Sequence, residues 1–128
     1  MNTSFDIHEL NSAVLEAAET IKEMRNDFTV DSKNAVVDLV TSADLKSEDI
    51  LIKAITKYFP DDGIISEESD EVVSTNGRSW LIDPLDGTVN YANNIPQVAI
   101  TLTLLLDKVP IQTYVYDIFQ EDLYEGYA

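Results

Sequence analysis

Two aspartates, Asp83 and Asp86, are separated by a proline and a leucine and followed at once by Gly87 and Thr88. They belong to the run Trp80-Leu81-Ile82-Asp83-Pro84-Leu85-Asp86-Gly87-Thr88-Val89-Asn90-Tyr91. Paired carboxylates suit hard divalent cations, which prefer oxygen ligands. Glycine permits backbone angles that other residues resist, and Thr88 can cap a following helical turn. Free N–H groups at such a turn can hold a phosphate. Trp80 to Ile82 read as a buried strand that stops at Asp83, because Pro84 cannot donate a ladder hydrogen bond. The plain alternative is a turn with two solvated aspartates. The apolar strand before the run and the threonine after it favour a site.

Two further acidic positions stand at the ends of expected elements. Thr41-Ser42-Ala43-Asp44 matches a capping box, so Asp44 is expected at a helix start. Glu67, in Ser66-Glu67-Glu68, follows a short apolar strand. Glu68 and Asp70 read as solvated. Lys33 lies in a polar link, Asp31-Ser32-Lys33-Asn34, and alone reads as a surface lysine.

The elements that must position these residues follow from periodicity. Residues 4–26 read as a helix, with Ile7, Leu10, Val14, Ala17, Ala18, Ile21 and Met24 at helical spacing and Thr3 or Ser4 as its cap. His8 lies beside that stripe and reads as structural or exposed. Residues 29–40 read as extended, through Thr29-Val30 and Val36 to Val40. A second helix runs from the capping box to about Phe59, where Pro60 stops it, and Asp61-Asp62-Gly63 makes a turn. Ile64 and Ile65 form a short strand, and residues 69–79 a polar loop with an Asn76-Gly77 turn signal. Val98 to Leu106, Ile111 to Ile118 and Leu123 to Tyr127 read as strands, the first two joined by a turn at Asp107-Lys108. Two helices followed by an antiparallel meander argue for an α+β layer with helices on one sheet face. Along Val98 to Leu106 both faces are unsuited to open water, so cover is expected on each.

Composition narrows the chemistry. The chain has 128 residues and 45% hydrophobic residues, the size and make-up of one globular domain. It has no cysteine, which excludes disulfides and thiolate chemistry, and His8 is its sole histidine, which excludes a Cys/His zinc site. Twenty-four acidic residues against 8 basic give a net charge of -16. Nucleic acid is therefore an unsuitable partner, because phosphate contacts need Lys and Arg, whereas a cation is a suitable one. No basic segment followed by an apolar run opens the chain, and no apolar stretch is long enough to span a bilayer. A cytoplasmic protein without a membrane partner is the expectation. An EF-hand is excluded, because Asp83 and Asp86 lack the alternating acidic positions before a glycine at the sixth.

Asp38-Leu39-Val40-Thr41-Ser42-Ala43-Asp44, Ile65-Ser66-Glu67-Glu68-Ser69 and Trp80 to Asn90, in this order, resemble the inositol monophosphatase family. The aspartate-proline-leucine-aspartate-glycine-threonine run is a near match to that family's signature. The resemblance covers nearly all of this chain and the first half of a typical member. It implies a layered α/β sandwich of the sugar phosphatase type, with residues 1–128 as its amino-terminal part. It implies magnesium held by Glu67, Asp83, the Leu85 carbonyl and Asp86, with Asp83 bridging two ions. Asp44 and Thr88 would polarise the attacking water, the N–H groups of Gly87 and Thr88 would bind phosphate, and Lys33 would add positive charge near the pocket. The implied reaction is magnesium-dependent hydrolysis of a small phosphate monoester, such as an inositol or sugar phosphate, with a homodimer as the complete enzyme. The competing expectation is a metal-binding fragment or interaction module without turnover. Ser66 stands where the family usually has glycine. The family's later tryptophan-aspartate motif, which supplies a ligand to the second metal, does not occur in these residues.

The chemistry asks for these residue types independently. Metal-lowered water pKa and clamping of both oxygens of an in-line displacement need carboxylates placed together. Phosphoryl transfer needs positioning and charge neutralisation more than a side-chain nucleophile.

Overall fold

The computed structural model describes residues 6–28, 32–67 and 69–128. The expected cap residues Thr3 and Ser4, the extended pair Thr29-Val30 and Glu68 lie outside them. The first described element is a 3-10 turn, Ile7–Leu10, whose cap is Asp6: its carboxylate accepts from the His8 N–H at 2.9 Å. Helix α1, Asn11–Asn26, continues from it and buries Val14, Ala17, Ala18 and Ile21, the i, i+3, i+4, i+7 stripe of an amphipathic helix.

Helix α2 is Lys33–Tyr58, longer than expected by its whole first third. Ser32 caps it, its hydroxyl accepting from the Ala35 N–H at 3.2 Å. Val36 to Val40 are therefore helical, not extended, and the Thr41–Asp44 box lies in the helix interior instead of opening it. The valines carried the strand reading, but β-branched residues disfavour a helix by only tenths of a kcal/mol, which packing overrides. Leu39, Ala43, Ser47, Leu51 and Ile55 recur every four residues and are all buried, so one continuous stripe crosses the expected boundary.

The sheet has five strands in the order β1-β2-β3-β4-β5: Gly63–Ser66, Arg78–Asp86, Ala99–Leu106, Val109–Asp117 and Asp122–Tyr127. Strands β2 to β5 form the expected antiparallel meander, while β1 pairs with β2 in parallel. The 67–77 connection returns along the outer edge of β1, where Val72 and Ile64 exchange both backbone hydrogen bonds at 2.9 Å. The β3–β4 hairpin turns on Asp107 and Lys108, both at positive φ, the two-residue turn that matches strand twist.

Strand β2 does not stop at Asp83. It runs to Asp86, with its register against β3 shifting between those two residues. Pro84 is accommodated because it lies in the bulge, where no ladder bond is required.

Helices α1 and α2 cover one sheet face. Ile64, Trp80, Ile82, Ile100, Leu102, Leu104, Tyr114 and Tyr116 are buried beneath them. The opposite face carries Ile65, Leu81, Thr101, Thr103, Thr113, Val115 and Tyr124 in facing register, with Leu81 46% and Tyr124 58% exposed. Of the cover expected on both faces, the described residues supply one side.

Candidate active site

Strand topology brings the acidic positions together. Ser66, the last residue of β1, pairs in parallel with Ile82, just before the bulge of β2, so Glu67 and Asp83 follow them at the same end of the sheet. Ligand sites of open α/β sheets lie at such strand ends. Glu67 and Asp83 line one groove of about 370 Å³, floored by Ile65, Leu81, Thr101 and Thr103 on the uncovered face.

The bulge does the rest. A spacing of three would put Asp83 and Asp86 on opposite faces of a regular strand. Here Asp83 opposes Thr101 and Asp86 opposes Ala99, two residues apart on β3, so both aspartates lie on one face. The extra residue lets Pro84 and Leu85 both turn inward, and both are buried. Burial and then the charge of Asp86 push the Asp83 carboxyl above its ordinary range, with Glu67 adding to the push, while a hydrogen bond from the Leu85 N–H partly opposes them. The charges of Asp86 and Glu67 thus both act on the Asp83 carboxyl.

After Asp86 the chain turns sharply. Gly87 adopts φ +95, and a Cβ there would meet the Gln97 carbonyl at 2.9 Å, so both angle and space demand glycine. Helix α3, Thr88–Ala92, has Gly87 as its N-cap and no side-chain cap bond. Thr88 is thus its first helical residue, not its cap, and its side chain is exposed. Asp86 and Gly87 line a second cavity of about 290 Å³ with Asn90, Gln97 and Asp117. Tyr91 pins α3 to α1 through its hydroxyl, which donates to the Ile21 carbonyl at 2.8 Å, and burial pushes that phenol up to about 12.

Asp44 lies on α2 with its Oδ1 buried, on the same helical face as Ser47 and Glu48, three and four residues on. Lys33 stands apart. It is exposed at the first residue of α2, eleven residues before Asp44, about 16 Å along an α-helix. Glu67, Asp83 and Asp86 are thus near neighbours, but among the described residues no three such side chains form a ready-made metal cage. Their carboxylate oxygens are the donor type that a hard divalent cation prefers.

Three buried polar residues had no place in the sequence reading. Asp62, read as part of a turn, is buried and accepts from Arg78, Asn76 and the Trp80 indole N–H, the last at 2.9 Å. Ser47 and Glu48 are buried on α2. Ser47 occupies an apolar register position between Ala43 and Leu51, a signal that was available; nothing local marks Asp62.

A helical layer on a mixed sheet, with carboxylates at parallel strand ends and a bulge before a glycine turn, places the chain among layered α+β proteins with an acidic strand-end site. Residues 2–128 match the model of the inositol monophosphatase family, and the chain belongs to that family. It is 32% identical over 116 residues to inositol monophosphatase 1 of Bos taurus, covering 87% of this chain and 42% of that one. Inositol-1-monophosphatase of Synechocystis is 36% identical over 98 residues, 76% of this chain and 34% of its own. Among solved structures, inositol monophosphatase from Anabaena superposes with a TM-score of 0.77 at 30% identity, over 94% of this chain and 43% of that one. The extragenic suppressor protein suhB from Bartonella henselae shares the fold with a TM-score of 0.81 at 24% identity, over 94% and 47%. The chain therefore spans less than half the length of these relatives. No helix among the described residues is long and apolar enough to cross a membrane.

Proposed function

We propose that this chain carries the amino-terminal portion, as one domain, of a magnesium-dependent phosphatase that hydrolyses a small phosphate monoester such as an inositol or sugar phosphate. The observation that carries the reading is the meeting of Glu67 and Asp83 at neighbouring parallel strand ends, with Asp86 returned to the same face by the bulge. Glu67, Asp83, the Leu85 carbonyl and Asp86 are the residues that would hold Mg2+. The bound ion would supply charge neutralisation for the phosphate and a lowered pKa for water.

The chain's own residues have distinct tasks in this reading. Asp44 and Thr88 orient the attacking water as hydrogen-bond acceptor and hydroxyl. Gly87 and Thr88 offer main-chain N–H groups to the phosphate. Lys33, at the first residue of α2, belongs to the substrate-binding set by resemblance. A cytoplasmic setting and a homodimeric complete enzyme belong to the same proposal.

A second reading is a metal-binding fragment or interaction module without turnover. Calorimetric titration with Mg2+ or Mn2+, on the wild type and on Asp83→Asn, tests the site. Binding that is lost in the variant supports it, and equal binding in both sinks it. A phosphate-release assay with magnesium and inositol monophosphate then separates the readings: turnover that disappears in Asp83→Asn supports the phosphatase, and binding without turnover supports the module.

A further inference from the structure

Two adjacent buried side chains on α2 reach the two segments that carry the acidic residues. Ser47 is fully buried, and its hydroxyl donates to the Pro84 carbonyl at 2.8 Å, inside the bulge between Asp83 and Asp86. Glu48 is 3% exposed. Its Oε2 accepts from the Ser66 hydroxyl at 2.5 Å, and its Oε1 accepts from the Ser69 hydroxyl, so its carboxylate grips the chain on either side of Glu67. Consecutive helical side chains diverge by about 100°. One helical position can therefore hold the end of β2 while the next holds the end of β1.

We propose that Ser47 and Glu48 are positioning residues that set the separation of Glu67 from the Asp83–Asp86 bulge and thereby tune cation affinity, an inference that rests on the site reading above. A carboxylate with neutral hydroxyl partners is an unfavourable thing to bury, since its desolvation is only partly offset. An apolar residue on this stripe would pack without that penalty. What the apolar residue would lack is a directional hold on both strand ends. Without that hold, the chain around Glu67 and the bulge between Asp83 and Asp86 lose a shared anchor on α2. Partners behind metal ligands typically change affinity 10–100-fold when removed.

The test uses the full chain and Mn2+ as probe, read by calorimetry beside thermal unfolding. Ser47→Ala and Glu48→Gln are each expected to weaken Mn2+ binding on the order of tenfold. Ser66→Ala combined with Ser69→Ala should reproduce the Glu48→Gln loss, and adding Glu48→Gln to that pair should weaken binding no further. Ser69→Thr, which keeps the hydroxyl, should bind better than Ser69→Ala. As a control for stability alone, Leu39→Ala on the same helix should lower the unfolding temperature without changing affinity. Unchanged Mn2+ affinity in Glu48→Gln and in the serine pair, with binding still lost in Asp83→Asn, overturns the positioning role and leaves the site standing. Binding that ignores Asp83→Asn overturns the site and this inference with it. The serine pair, at the last residue of β1 and in the connection after it, is half-buried and lies outside α2, so it keeps the test decisive even if a helix variant fails to fold.

Discussion

At the residue scale, the turn after Asp86 separates local conformation from chemistry. Gly87→Ala meets a strained φ and a carbonyl at 2.9 Å, so it is expected to destabilise the fold by about 1–3 kcal/mol, read by urea unfolding. Thr88 makes no cap bond, so Thr88→Ala should change stability by less than about 0.5 kcal/mol, where loss of a true cap would remove about 1. If the phosphatase reading holds, that variant loses turnover while keeping its cation affinity. Asp62 shows the opposite case of a carboxylate with a purely structural place. Its bonds to Arg78 and Trp80 tie the start of β2 to the turn between α2 and β1, and Phe59, the C-cap of α2, lies tilted against Trp80 with ring centroids 5.6 Å apart.

At the element scale, the continuity of α2 decides where Asp44 and Glu48 stand. A helix opening at Thr41 would tolerate proline at the next position, its first helical residue. In the helix observed, position 42 is interior and exposed. Ser42→Pro is therefore expected to destabilise by about 3 kcal/mol or more in urea unfolding. Ser32→Ala, at the actual cap, should remove about 1 kcal/mol. A neutral Ser42→Pro would restore the capping box and with it an extended Val36 to Val40.

For the whole molecule, the amino-terminal turn and the last strand meet through His8, which contacts Glu125 on β5 and Asp6 beside it. Glu125, its largest influence, raises the His8 pKa from the usual 6.5. Tyr127 first and His8 second lower the Glu125 pKa from the usual 4.5. A raised histidine stabilises fully below its unfolded pKa, and the contribution is lost as pH rises through the folded value. A lowered glutamate stabilises above its unfolded pKa, and the contribution is lost as pH falls through the folded value. The contact should thus contribute most between about pH 4.5 and 6.5. Thermal unfolding across pH should show that contribution fading above this window, and His8→Gln should remove the difference. The uncovered sheet face has a second consequence. Leu81 and Tyr124 are exposed on it, and among the described residues β5 pairs on one side only, with β4. Exposed apolar area and an open edge favour self-association, which the net charge of -16 opposes until salt screens it over about 8–10 Å. Light scattering of the 128-residue chain is expected to rise with salt, and a monodisperse monomer at high salt would refute the role assigned to that face.

By itself, the sequence determined the acidic run, its glycine turn, the family and the strand meander, because each is written in local patterns: alternation, turn residues and a signature motif. It misplaced the start of α2 because valine preference is weak and the stripe that overrides it becomes visible only against a sheet. It ended β2 one bulge early because a proline in isolation reads as a stop, and only the pairing of Asp86 with Ala99 shows the strand resuming. The parallel pairing of β1 with β2, which sets Glu67 beside Asp83, joins residues sixteen apart in sequence and has no local signature. The same holds for Ser47 and Glu48, whose polar groups lie on a buried stripe. Their partners at Pro84, Ser66 and Ser69 are distant in the chain, and only the packing of α2 on the sheet brings them within hydrogen-bonding reach.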